Sequence, residues 1–328
     1  MTGPLRVGVI GAGSFGERHI QAYSRQLGVT IVGVADRDGE RARAVAARWG
    51  IEQWFTDGAE LIAGCRPEGV SVVTPGTAHR EPTLAALAVG CSVLLEKPVA
   101  MSSVDVAAMQ DAVDASSAFV VPAHILRFAA PYIALRERVR AGGVGRLLGM
   151  AAVRDRGRDH VRDYGDIHPA LMTLVHDIDL ALWIGGSRAT RVSAHGRGGS
   201  AGAPPQLLWA RVEAADGSLW SLRTSWLLPE NAPPSDQFTV YGTDGAVALD
   251  LRATVTALGA RVEAVDHELT PDSNEGAIDR EVAHFCACIR SGEPSRLITL
   301  AEAAHGIRIA EAMMASADAS GSLIEVAD

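Results

Sequence analysis

Four cysteines in 328 residues, Cys65, Cys91, Cys286 and Cys288, are too few and too scattered for a disulfide framework. Cys286 and Cys288 lie two apart in a helical pattern, so their side chains diverge and suit no shared metal. No apolar run reaches the length of a membrane span. Nor is there a basic surplus of the kind that attracts nucleic acid or an anionic membrane. Lys and Arg total 30 against 39 Asp and Glu, a formal charge of −9. The first apolar stretch, Leu5 to Ile10, reads as a strand, which argues against a signal peptide. Internal repeats and low-complexity tracts are also missing. A reduced, cytoplasmic protein without metal, membrane or nucleic-acid partner is the expectation.

What is there is apolar bulk. Hydrophobic residues make up 48% of the chain, and its length exceeds what one core usually serves, so two domains are expected. The first third alternates short β-branched runs (Leu5–Ile10, Thr30–Ala35, Val70–Thr74, Ser92–Leu95, Ala118–Pro122) with helical stretches at Phe15–Leu27, Gly39–Trp49, His79–Val89 and Val104–Ala115. That grammar predicts a doubly wound parallel sheet over residues 1–122. From 123 to 328 it changes. Helices are predicted at Pro131–Ala141 and Pro169–Ile184, with Pro169 at the first helical position, and mostly strands follow from Thr190 to Leu269. Trp220, Leu222, Thr224 and Trp226 alternate with polar residues, the period of a half-covered strand. Two closing helices, Asp279–Ser291 and Leu300–Ala317, complete an α+β domain with a largely antiparallel open sheet.

Gly11-Ala12-Gly13-Ser14-Phe15-Gly16 fits G-x-G-x-x-G between the first strand and the first helix. The first glycine permits a tight turn, the second close approach of a pyrophosphate, and the third close helix–strand packing, with the phosphates at a helix N-terminus. Asp36 ends the next strand, 20 residues beyond Gly16, where an acidic side chain binds ribose hydroxyls. Asp36 opposes a 2′-phosphate and favours NAD. Arg37 beside it could clamp that phosphate, which keeps NADP open.

Thr74-Pro75 with His79, and Glu96-Lys97-Pro98, follow strands at their carboxyl ends, where open α/β sheets bind ligands. Taken with the glycine turn, Arg127-Phe128 and His176-Asp177-Ile178-Asp179, these motifs resemble, in order and spacing, the Gfo/Idh/MocA oxidoreductase family, the group that contains glucose–fructose oxidoreductase and inositol dehydrogenase. The resemblance runs from residue 5 to the C-terminus. It implies that Ser14, Phe15, Thr74, Pro75, His79 and Glu96 belong to the cofactor site. It also implies that Lys97 lies beside the nicotinamide and moves a proton, and that a cis peptide bond precedes Pro98. The chemistry agrees: oxidising an alcohol removes a hydride from carbon and a proton from oxygen. A lysine near a positively charged nicotinamide has its ammonium form disfavoured, which suits it to take that proton.

By the same resemblance His176 contacts the reacting hydroxyl. Asp179, three residues on, shares its helix face and is placed to orient it. His124 and Arg127, at the junction after the last Rossmann strand, are candidate substrate contacts, Arg127 matching the family's Arg-Phe motif. Members similar to inositol dehydrogenase carry an aspartate where this chain has Met172, and a thioether can neither take a proton nor hold a hydroxyl as a carboxylate does. Asp166 and His168 are the candidates to compensate. In the charge-dense stretch from Arg154 to His168, the residues Asp155, Arg156, Arg158, Asp159, His160, Arg162 and Asp163 could form a substrate-covering loop, but such a run is more often a solvated surface. Two functions follow. One is an NAD(P)-dependent oxidoreductase for a sugar, cyclitol or related polyol, with the substrate between Lys97 and His176. The other is a non-catalytic dinucleotide-binding sensor or partner-binding protein that has lost the full catalytic set. The face bearing Trp220, Leu222 and Trp226 would form an apolar patch if unpaired, so a homodimer or homotetramer through this sheet is expected.

Overall fold

The computed structural model describes residues 3–199, 202–250 and 275–327. The chain divides into two compact units, one of Met1–Phe128 with Asn274–Ala304 and one of Ala129–Ser273 with His305–Asp328. Each unit is built from two separate runs of sequence.

In the first unit β1 (Leu5–Ile10), α1 (Ser14–Ser24), β2 (Val29–Ala35), α2 (Gly39–Trp49), β3 (Trp54–Phe55), α3 (Gly58–Cys65), β4 (Gly69–Val72), α4 (Arg80–Ala88), β5 (Ser92–Glu96), α5 (Ser103–Asp114) and β6 (Val120–Ala123) follow one another. The six strands are all parallel, in the order β3-β2-β1-β4-β5-β6. This is the Rossmann order, with its switch point between β1 and β4. The strands read as continuous apolar runs because both faces are covered. All of β5 is buried, and Val7 and Val9 of β1 are fully so.

The pair β3 and α3 is absent from the expectation above. Two residues carry no strand period, and glycines break up the eight residues of α3. Its caps were nevertheless legible. The Asp57 carboxylate accepts from the backbone N–H of Ala59 and Glu60, and Asp57-x-x-Glu60 is a helix-start pattern.

In the second unit α6 (Ala130–Arg140) leads to β7 (Leu147–Gly157), α7 (Asp159–Tyr164), α8 (Pro169–Met172) and α9 (Val175–Gly185). Then come β8 (Ala189–Arg197), β9 (Leu207–Ala214), β10 (Leu219–Leu228), β11 (Ser235–Gly242) and β12 (Gly245–Asp250). The last elements are α10 (Glu275–Ser291), which belongs to the first unit, α11 (Leu300–Asp318) and β13 (Ile324–Glu325). The sheet of the second unit runs β12-β11-β7-β10-β9-β8-β13, antiparallel except for the parallel pair β7–β10. The expected strand pattern from 251 to 269 lies outside the described residues.

Two expectations for this unit are corrected. The helix expected from Pro169 to Ile184 is two pieces, α8 and α9, broken at Thr173 and Leu174; Trp226 Nε1 donates to Thr173 Oγ1 at 2.9 Å across the break. The face bearing Trp220, Leu222, Thr224 and Trp226 is not an open patch, because all four are buried. Helices of the same unit supply the cover: Tyr132 of α6 meets Phe238 edge-on, and Ser316 of α11 accepts from the backbone N–H of Ala194. The opposite face exposes Trp209, Leu219 and Tyr241.

Candidate active site

The glycine turn shows why each glycine is where it is. Gly11 has φ +105°, and a Cβ there would lie 2.5 Å from the Val73 carbonyl oxygen. A Cβ on Gly16 would lie 1.9 Å from the Gly11 oxygen, so the start of α1 could not close on β1. At Gly13 a Cβ would meet nothing within 4 Å, and this open side, at the N-terminus of the eleven-residue α1, is where a pyrophosphate fits. Asp36 ties the turn to β2: its carboxylate accepts from Ala12 N at 2.8 Å and from Asp38 N at 2.9 Å. The cation facing Asp36 is Arg41, with Nη1 3.4 Å from both oxygens; Arg37 and Arg41 are both exposed. Ser14 is exposed and Phe15 half-buried, its ring 5.8 Å from that of His19. These residues fit a bound dinucleotide.

Across the switch point, Thr74 Oγ1 donates to the Ala78 carbonyl, and Pro75 is exposed. The His79 ring is buried between two carbonyls, Thr74 O at 2.7 Å from Nε2 and Pro98 O at 2.9 Å from Nδ1. Burial lowers its pKa, and the two carbonyls offset this only in part. His79 thus braces the segment after β4 against the segment after β5. Lys97 stands half-buried at the end of β5, and its bond to Pro98 is cis, as the resemblance implied. Glu96 turns inward. Its Oε2 accepts from Lys97 N at 3.0 Å, and its Oε1 lies 3.1 Å from His19 Nε2. With Glu281 of α10, these residues put three possible ligand atoms within 4.8 Å of one another, all buried. The His19–Glu96 contact is a direct hydrogen bond. The His124 side chain is buried, and the buried Arg127 guanidinium donates to Leu297 O at 2.6 Å and pairs with Glu302 at 3.3 Å.

In the second unit Met172 and His176 lie four residues apart. Along Pro169–Ile184 they and Leu182 are half-exposed, while every other residue is buried, Asp179 included. A buried ion-pair cluster holds α9. Arg154 of β7 grips Asp177 with two bonds of 2.9 Å and Asp236 of β11 with one of 2.6 Å, and Arg156 adds a 2.5 Å bond to Asp236. Burial would raise the Asp236 carboxyl, but the two guanidiniums outweigh it and hold it below the usual range. Burial pushes Asp177 the other way, yet its two contacts of 2.9 Å make it the carboxylate of an ion pair. Arg154, the first residue of the charge-dense stretch, therefore belongs to the interior. The signal was its strand parity with buried Met150 and Ala152. In α7, the His160 ring lies 6.0 Å from that of Trp226 in β10.

His168 is already engaged. Its Nδ1 accepts from the backbone N–H of Ala170 and so caps α8, and burial holds its pKa down at about 4. Asp166 is exposed.

Comparison with known proteins agrees with this architecture. Residues 5–124 match the oxidoreductase family with an NAD-binding Rossmann fold, and residues 132–248 match the GFO/IDH/MocA C-terminal domain. The chain belongs to the GFO/IDH/MocA oxidoreductase family. Inositol 2-dehydrogenase of Klebsiella pneumoniae (strain 342) is 32% identical over 183 residues, which are 55% of this chain and 54% of that protein. The chain thus spans about half the length of such relatives. The scyllo-inositol 2-dehydrogenase (NAD(+)) of Bacillus subtilis is 27% identical over 88% of this chain and 87% of its own. Among solved structures, myo-inositol dehydrogenase of Lactobacillus casei in complex with NAD(H) and myo-inositol superimposes with a TM-score of 0.84 at 21% identity. It covers 99% of this chain and 97% of its own, and the likeness is one of fold.

Proposed function

We propose that this family member is an NAD-dependent dehydrogenase that oxidises a CH–OH group of a cyclitol, sugar or related polyol. The observation that carries the reading is Lys97 at the end of β5, beside the switch point whose glycine turn is open at Gly13. The names of the relatives, inositol dehydrogenases, support the substrate class. Bound NAD supplies the hydride acceptor. The backbone N–H groups at the start of α1 hold the pyrophosphate, and Asp36 holds the adenosine ribose. Lys97 takes the proton from the reacting hydroxyl, and His176 hydrogen-bonds and orients that hydroxyl. A second reading, a dinucleotide-binding protein without turnover, is favoured by Met172, half-exposed four residues before His176 and on the other side of the helix break.

The experiment is NADH production with myo-inositol, scyllo-inositol and glucose. Lys97→Ala should lose about 10²-fold or more of turnover while still binding NAD. Unchanged turnover in that variant refutes the mechanism. NAD binding with no turnover on any polyol favours the second reading. Met172→Asp should raise activity on cyclitols if the site lacks only a carboxylate.

A further inference from the structure

Within the cofactor unit a run of buried polar side chains ends on the backbone of Lys97. Tyr23 OH lies 2.8 Å from Ser71 Oγ, Ser71 Oγ lies 3.1 Å from His19 Nδ1, and His19 Nε2 lies 3.1 Å from Glu96 Oε1. Glu96 Oε2 then accepts from Lys97 N at 3.0 Å. Tyr23, His19 and Ser71 are fully buried and Glu96 is 6% exposed, in a layer between α1, β4 and β5 where apolar side chains would pack without cost. Buried polar groups must be satisfied, and a fully satisfied network fixes one geometry.

One order of donors and acceptors satisfies the whole run. Burial holds the Tyr23 phenol well above its ordinary pKa, so it keeps a proton that it can donate to Ser71 Oγ at 2.8 Å. Ser71 then donates to His19 Nδ1, which leaves the His19 proton on Nε2, facing Glu96. One arrangement uses every donor, and it presents the Glu96 carboxylate to the Lys97 N–H. On the other side of Lys97, the His79 ring bonds the Pro98 carbonyl. The lysine is bracketed from both neighbours.

We propose that His19 and Glu96 are positioning residues for proton transfer: Glu96 fixes the backbone at Lys97, and His19, oriented by Ser71 and Tyr23, fixes Glu96. This rests on the reading that Lys97 takes the substrate proton. In Glu96→Gln one carboxylate oxygen becomes an amide donor, so either the Lys97 N–H or the His19 N–H loses its acceptor. His19→Phe removes the donor to Glu96, whereas the amide nitrogen of His19→Gln can replace it.

The test uses the full chain, the three polyols above and calorimetric titration with NAD. Glu96→Gln and His19→Phe should lower kcat per NAD-binding site by about 10- to 100-fold, the scale of a misplaced reacting group. The Kd for NAD should change by much less than kcat, and the solvent deuterium isotope effect on kcat should rise as the proton step becomes slower. His19→Gln should recover to within about fivefold of wild type. Wild-type kcat in both damaging variants, or a rate loss matched by an equal loss of NAD-binding sites, overturns the proposal. If His19→Phe does not fold, the near-isosteric Glu96→Gln and His19→Gln still decide. With Lys97→Ala inactive, such a failure touches this proposal alone. Turnover retained in Lys97→Ala, or absent from wild type on all three polyols, removes the mechanism and this proposal together.

Discussion

Protonating His168 should unfasten the start of α8, and the cost can be worked out. The ring accepts from Ala170 N through Nδ1, so the folded state needs that nitrogen unprotonated. Burial, only partly opposed by Asp318, depresses the folded pKa from 6.5 to about 4. The unfolded chain therefore binds a proton first as pH falls. The stabilisation is complete above about pH 6.5 and is lost on the way down to about pH 4. At about 1.4 kcal/mol per pH unit the loss between pH 7 and pH 4 is about 3 kcal/mol. The perturbation is His168→Asn, because an asparagine can cap the same N–H without titrating. Urea unfolding of both proteins, followed by tryptophan fluorescence, suits the question, since Trp183, Trp209, Trp220 and Trp226 share a unit with His168. Wild type should be about as stable as the variant at pH 7 and about 3 kcal/mol weaker relative to it at pH 4. Parallel profiles across that range would refute the coupling between the cap and the proton.

Two further outcomes are expected. If Asp36 holds the adenosine ribose, NAD should bind more tightly than NADP, and Asp36→Ala should narrow the gap. Because Arg41 rather than Arg37 faces Asp36, Arg41→Ala should weaken NADP more than NAD, and calorimetry that finds the larger effect at Arg37 would contradict this. Assembly into a homodimer or homotetramer should use the sheet face that exposes Trp209, Leu219 and Tyr241. A 34.4 kDa species alone in light scattering at micromolar concentration would exclude it.

Much of the cofactor unit was legible because its signals are local. The glycine turn, the acidic end of β2 and the strand–helix alternation each lie within a few residues. The small pair β3–α3 escaped because two strand residues have no measurable period. The polar layer behind Lys97 was invisible for another reason: His19, Ser71 and Glu96 come from three elements, and only the sheet order brings them together. The same holds in the second unit. Arg154 looked like one more charge in a charged run, and its carboxylate partners lie 23 and 82 residues away. The Trp220 face was read correctly as apolar but wrongly as uncovered, because the pattern of one strand cannot say which helices pack on it.

The return of α10 to the first unit has a consequence for how this chain is made. Phe285 and Ile289 of α10 fill the space over Gly69, where a Cβ would come within 2.5 Å of Ile289, and Phe285 also meets Phe119 edge-on at 6.5 Å. A ribosome that has released β1 to β6 has therefore delivered a cofactor unit still missing one wall. That wall is synthesised only after β7 to β12 of the other unit, some 150 residues later. The apolar surface awaiting α10 stays uncovered through most of translation, so the unit that is begun first is among the last to be finished.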